Sequence, residues 1–545
     1  MFDFGALPSE ILAIILQNII VEIGLYKAAL LRAVSRSFDA AIVRAISVGQ
    51  PIDPHDPRTP DLWRSMDATL RGRIALFRSI DADPSKSSQF SVIADINQTL
   101  DALTEEAHKQ IRQSQHEAVA KAVSQACARS LWAAKIRPDD QLNEKLKAQN
   151  RLSGAIVIGR LDIVKSMLSP ASPAPSTLAE VNGASPYLGR PLILAAAWGH
   201  LDIVQYLLDR GARPDLLFCC YEGEQTASRG YGPWNPESDL AGINLSGHAE
   251  PPASALHAAV LGGFEDIVRL LLQPGFMLPP SEKTEYLRAI LAGARTGSLH
   301  LIRLLLEASG DKLSEIRHLG KEMMYAAVRR GHAEVIDMLL DNGVDINALP
   351  DPDIRRFHGT LHLASSLGNI SMVRYLIERG AGIEAVLVNK MECYPIAGAA
   401  HCGQEEVVEL LLDHGADRST ALWCAIDGGQ LRVVKLLLDR FPDMLQREGM
   451  GHHPGMIALV KAIGARQLAI MTMLVEAGVS LNDPYDGPPW LAINMAKDRV
   501  GAWVVEHMLK LGAKDTPLPI MKEKYQCTAR GVLLEADTWN WVGRY

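Results

Sequence analysis

The sequence predicts an all-α fold in which a pair of short antiparallel helices repeats along most of the chain. Three observations predict it. The first is Leu192–Ala212, LILAAAWGHLDIVQYLLDRGA, which reads as one complete unit. Its opening segment, Leu192–Trp198, is apolar, and Ala195 and Ala196 leave room for a close helical neighbour. Gly199 ends that helix, because the residue just past a helix end commonly needs positive φ. Ile203, Val204, Leu207 and Leu208 then recur at the spacing of one buried helical face, with Asp202 in the first turn, where the helix dipole favours an anion, and Gly211 as the stop. The second observation is spacing. The template fits Gly159, Gly199, Gly263, Gly297, Gly331, Gly368, Gly403 and Gly429 and, with the glycine replaced, Arg466; from Gly263 to Gly403 the steps are 34, 34, 37 and 35 residues. The third is composition: 48% hydrophobic and 22% charged with only 6% aromatic suits a chain rich in Leu, Ala, Ile and Val and argues against disorder.

These residues carry a family resemblance. GxxDIVxxLL, ALHAA at Ala255–Ala259 and GTLHLA at Gly359–Ala364 resemble ankyrin repeats, whose period is about 33 residues. No copy holds an intact TPLH tetrapeptide; the nearest are SALH at Ser254–His257, GTLH, and TALW at Thr420–Trp423. The resemblance implies an ankyrin-repeat solenoid of about ten helix-turn-helix units. A stack of this kind escapes the size limit of a single core, since each unit packs only on its neighbours. It also implies that His257 and His362 are structural and that partners are held non-covalently on a concave face made of first helices and fingertips.

Taken in order, residues 1–50 come first. Leu7–Ile19 starts a helix at Pro8 and Ser9 and aligns Ile11, Leu12, Ile15, Leu16 and Ile19, and a second helix from about Lys27 continues with Leu30, Leu31, Val34 and Phe38. The pair resembles the divergent F-box of fungal F-box/ankyrin proteins, matching it at Leu7, Pro8, Glu10, Ile11, Leu12, Ile15, Val34 and Phe38. It departs from that pattern at Ser35, where cysteine is usual, at Phe38, where tryptophan is usual, and in lacking a Leu-Asp-Leu element near residues 25 to 30. The resemblance implies docking on a Skp-type adaptor of a cullin ubiquitin ligase; the residues alone also fit a helical hairpin that caps the array. PIDPHDPRTP at 51–60 holds four prolines and reads as a linker. The rest of 51–149 reads as a helical N-terminal cap, which a solenoid needs over its first apolar face.

The array itself spans 150–515, with a long insert near 214–253 that contains Trp234, read as packed back on the array or as an anchor for a partner. The step from Gly403 to Gly429 is only 26 residues, so the usual projecting finger has almost no room and a notch is expected there. Arg466 occupies a glycine position in the ninth unit, and the last unit, Trp490–Gly512, is looser still. Residues 516–545, with Trp539, Trp541 and Tyr545, read as a terminal cap or as a partner-binding peptide.

Other function classes find little support. A net charge of −8 without a Lys/Arg cluster argues against direct nucleic-acid binding. The seven cysteines form no CxxC pair and no metal-ligand spacing, which fits reduced thiols in the cytoplasm or nucleus. Ile11–Leu25 lacks a preceding basic residue and is interrupted by Gln17, Asn18 and Glu22, so neither a signal peptide nor a membrane span is expected. There is no phosphate loop, HExxH or GxSxG, so no enzyme activity, cofactor or metal is expected. The candidate contacts on the array are Trp198, Thr296, Arg330, Leu367 and Cys402, each just before a central glycine, together with Trp423, which replaces the usual histidine. A monomeric substrate receptor of a Skp/cullin-type ubiquitin ligase is the leading reading. The alternative is an ankyrin scaffold or transcriptional coregulator, of the kind that sits beside fungal biosynthetic genes.

Overall fold

The computed structural model describes residues 15, 16, 18, 41, 42, 45, 68–80, 89–104, 111–129, 144–169, 179–185, 187–217, 254–278, 283–310, 319–347, 359–384, 394–446, 454–482 and 492–516. Among them the fold is all-α, with a single isolated bridge between Ser185 and Gly189. Among the described residues, helical positions occur first at 15, 16, 18, 41, 42 and 45, and the helices α1 (Ala68–Ser79), α2 (Gln89–Leu103) and α3 (Arg112–Arg129) are followed by ten helix pairs. The chain divides into two compact units, one drawn from 1–236, 247–293 and 300–310 and the other from 237–246, 294–299 and 311–545.

In the first unit α1, α2 and α3 pack on one another around Leu70, Ile74, Ile93, Ile96, Leu100, Val119 and Val123, all buried. Gly72 allows the close crossing: a Cβ there would lie 2.9 Å from Lys121 Cα. α2 also packs on α4 (Glu144–Val157), the first helix of the first pair, where Ile96 fills the space above Gly154. Beside that contact Arg151 donates from Nε and Nη2 to Asp95 at 3.0 and 2.7 Å. The first repeat helix begins at Glu144, eight residues before Leu152.

The pairs continue with α5 (Leu161–Met167), α6 (Pro191–Trp198), α7 (Leu201–Asp209), α8 (Ala255–Gly262), α9 (Glu265–Leu271), α10 (Lys283–Thr296) and α11 (Leu299–Ser309). α4 packs on α6 and α6 on α8, so first helices stack on first helices. The template residues Ile203, Val204, Leu207, Ala195 and Ala196 are all fully buried. Gly199 stands at φ 78°, left-handed, and the other seven central glycines lie between 68° and 82°.

The second unit repeats this plan in α12 (Leu319–Arg330), α13 (Ala333–Asp341), α14 (Thr360–Ser366), α15 (Ile370–Glu378), α16 (Pro395–His401), α17 (Glu405–Asp413), α18 (Arg418–Asp427), α19 (Leu431–Arg440), α20 (Pro454–Gly464) and α21 (Leu468–Glu476). Between α17 and α18 only residues 414–417 intervene. Asp417 caps α18 directly, accepting from Ser419 N and Thr420 N at 3.2 and 2.8 Å, so the expected finger is absent at this point. The tenth pair, α22 (Ala492–Met495) and α23 (Ala502–Lys510), is irregular: a π turn over Ala496–Val500 and Gly501 at φ 128° replace the ordinary stop.

Two stability outcomes follow from this packing. Leu339, fully buried in α13, is expected to cost about 2–5 kcal/mol when changed to alanine, and a chemical melt that finds less than about 1 kcal/mol would contradict the packing. Arg466 holds φ 60° where the other repeats have glycine, a conformation that costs an L-residue about 1–2 kcal/mol. Arg466→Gly should therefore raise unfolding free energy by roughly 0.5–1 kcal/mol after the added unfolded-chain entropy of glycine, read as a higher denaturation midpoint.

Candidate protein-binding surface

Residues that face a neighbouring repeat are constrained to be small or apolar, whereas those at the exposed end of a first helix are not. The residue before the central glycine is in that second class, because the chain is about to reverse into the second helix. Arg330 closes α12 and is exposed. Leu367 caps α14 with 43% of its surface exposed, an unusual place to leave a leucine. Cys402 caps α16 half-buried, and burial pushes its thiol up from the ordinary value. Trp423, inside α18, is also half-buried, whereas His257 and His362 at the same template position are buried. Since α12 packs on α14, α14 on α16 and α16 on α18, the second unit places Arg330, Leu367, Cys402 and Trp423 on four successive neighbouring helices. Trp198 and Thr296 are half-buried; Trp198 closes α6 in the first unit. Of the N-terminal candidates, Ile15 is helical and half-buried, while Leu7, Pro8, Glu10, Ile11, Leu12, Val34 and Phe38 lie outside the described residues.

One ion pair adjoins this row. Asp427, the last residue of α18, receives Lys461 Nζ of α20 at 3.2 Å, with the two side chains only 15% and 20% exposed. Burial raises the Asp427 carboxyl above its ordinary value, and Lys461 and then His401 pull it back only in part. Among the described residues no group of His, Cys, Asp and Glu could hold a metal ion, and no helix is long and apolar enough to cross a membrane.

The inter-repeat contacts that hold the surface in place had a sequence signal that the template reading passed over, namely the residue after each central glycine. His200 lies over Gly159 of the preceding repeat, Phe264 over Gly199, His332 over Gly297, Gln404 over Gly368, Gln430 over Gly403 and Gln467 over Gly429. Several also bond the carbonyl two residues before that glycine: His332 Nε2 meets Arg295 O at 3.0 Å, and Gln430 Nε2 donates to His401 O at 2.9 Å. A second set runs through asparagines. The side chains of Asn182, Asn347 and Asn482 each donate to the carbonyl of a helix-ending glycine one repeat on (Gly211, Gly380 and Gly512) at 3.1–3.4 Å. Each also accepts the backbone N–H two residues beyond at 2.8–2.9 Å.

Comparison with known proteins agrees with this geometry. A family model described as ankyrin repeats (3 copies) matches residues 256–350, 351–419 and 398–485, and one for a single ankyrin repeat matches 190–217. An ankyrin repeat and KH domain-containing protein, mask-1, of Caenorhabditis elegans is 27% identical over 65% of this chain, and ankyrin repeat protein nuc-2 of Neurospora crassa is 26% identical over 50%. The E3 ubiquitin-protein ligase KEG of Arabidopsis thaliana is 24% identical over 42% of the chain. The matches span only 12%, 22% and 15% of those proteins' own lengths. The chain carries an array of ankyrin repeats, and such repeats imply protein–protein interaction.

The buried carboxylate makes a pH prediction. Because folding raises the proton affinity of Asp427, the native state binds more protons than the unfolded chain between the ordinary aspartate value and the raised one. Its contribution to stability therefore falls as pH rises through that window. Asp427→Asn should flatten this part of the stability-versus-pH curve; an unchanged slope in urea melts would show that the carboxyl titrates normally.

Proposed function

We propose that this protein is a non-catalytic protein-binding adaptor whose ankyrin array holds a target while its N-terminal helices attach that target to a Skp/cullin-type ubiquitin ligase. The observation that carries the binding half is the run Arg330, Leu367 and Cys402 at the ends of three successive first helices, exposed or half-buried, joined by the half-buried Trp423 inside the next first helix. Arginine and tryptophan are the commonest anchors of protein interfaces, and a half-exposed leucine beside them gives a target apolar area to cover. The packing of α2 on α4 supports the role of residues 68–129 as the cap of the first repeat.

The ligase half rests on the F-box resemblance of Leu7 to Phe38 and is favoured by the likeness to a plant protein named as an E3 ubiquitin-protein ligase. A purified Skp-type adaptor is expected to bind the intact chain and to lose binding to the double variant Leu7→Asp/Ile11→Asp, once both proteins show the same melting curve. If the intact chain fails to bind the adaptor, the N-terminal helices are a cap only and the array serves as a scaffold or coregulator.

A further inference from the structure

The turns between the two helices of each pair offer a different surface. In the first unit three of them are described as residues 158–162, 198–202 and 262–266, on neighbouring repeats. Their side chains are more apolar than a solvent-facing turn requires. Leu201 leaves 41% of its surface exposed, and Ile158, Leu161, Trp198 and Phe264 are each half-buried. Phe264 joins two of these turns: its ring lies over Gly199, the residue that follows Trp198 in the chain, and against Gly262 of its own turn.

The charge around this patch has one sign. Apart from His200, the three turns contain one cation, Arg160, against four carboxylates, Asp162, Asp202, Glu265 and Asp266. Arg160 is already engaged by Asp162 at 2.6–2.9 Å, which holds that carboxyl down to about 2. Glu265 is met by Arg269 and His300 at 2.7 and 3.0 Å. Asp202 accepts only its neighbour Ile203 N, and neither it nor Asp266 has a cationic partner among the described residues. The corresponding turns of the second unit (330–334, 367–371, 402–406, 428–432 and 465–469) are balanced, with Arg330, Arg432 and Arg466 against Glu334, Glu405 and Glu406. Asp162, Asp202 and Asp266 stand at the acidic position of the repeat template itself; the first unit keeps that charge in all three turns, whereas in the second Ser371, Arg432 and Ala469 replace it and Arg330 and Arg466 add positive charge.

From this we infer that the first unit's turn face docks a basic amphipathic segment of a partner protein. Its aliphatic or aromatic side chains sit on Trp198, Leu201 and Phe264, and its Lys or Arg side chains face Asp202 and Asp266. Apolar contact gives the affinity; the carboxylates select against acidic segments and speed the encounter. The inference rests on the reading of the array as a protein-binding surface and assigns that surface a second, chemically distinct face.

A random-peptide phage library selected on the full-length protein tests it, followed by anisotropy titrations of the recovered peptides. Recovered sequences should combine Leu, Ile, Phe or Trp with Lys or Arg and bind more weakly as salt rises. Asp202→Lys/Asp266→Lys should weaken them by about tenfold or more, with Leu367→Asp in the second unit leaving them unchanged. All of the substituted residues are exposed, and the two charge reversals cost only the helix-dipole contribution of the first turns, so both variants are expected to stay folded and a melt checks this first. Peptides that respond to Leu367→Asp and ignore the charge reversal would overturn this inference while leaving the array a protein-binding surface. Acidic or uncharged recovered sequences would overturn it as well. A library that yields no binder counts against both readings.

Discussion

Everything in this molecule depends on a reversal of the chain within a few residues, made once in every repeat. The first helix must stop and the second must start without losing contact with the neighbouring repeat, and this needs a residue with positive φ. Glycine supplies it at eight of the central positions, and its missing Cβ has a second use. At six of them the space it leaves is filled by the side chain that caps the start of the next repeat's second helix, as when Phe264 covers Gly199 or Gln430 covers Gly403. Turn and interface are therefore one device. A side chain at that point would strain the turn and also push the neighbouring repeat away.

This device explains why function must reside at the edges of the repeat. The faces that stack are held to Ala, Leu, Ile and Val by the packing density of the interior. Polar groups buried between repeats serve the stack too: Gln149 bonds the backbone of 180 and 183, and Ser185 donates to Asn150 at 2.6 Å, tying the turn to the preceding helix. What is left to vary is the end of the first helix, the turn, and the finger. In the second unit the first of these carries arginine, leucine and cysteine, with a half-buried tryptophan inside the next first helix, and in the first unit the turns carry an apolar patch with acidic surroundings. The shortened connection at 414–417 shows that the third can be removed while α16, α18 and α20 continue to stack.

Legibility in the sequence followed the same division. Helix pairs, their stops and their buried stripes were readable because 3.6-residue periodicity and glycine placement are local. Even Arg466 was recognisable as a glycine stand-in from register alone, and it adopts the left-handed conformation. The asparagine clamps were harder. Asn182, Asn347 and Asn482 look like ordinary turn residues, and their partners lie about thirty positions on, at Gly211, Gly380 and Gly512. Nothing local marks them as inter-repeat bonds. The helical start at Glu144 was missed for a related reason: its first turns carry Lys and Gln and lack the apolar stripe.

The sequence by itself determined the fold class, the number of helix pairs, the missing finger and the residues that would stand at the ends of the first helices, because each follows from short-range pattern repeated at a near-constant step. Tertiary structure alone decided which side chains cover which glycines, that Asp427 and Lys461 form a largely buried pair, and that Phe264 of one repeat covers the Gly199 that separates Trp198 from Leu201 in the repeat before. The physical reason is that these contacts join residues in different repeats. Their formation depends on how one repeat seats on the next, which is set by the sum of many apolar contacts across the interface and is written in no single stretch of the chain.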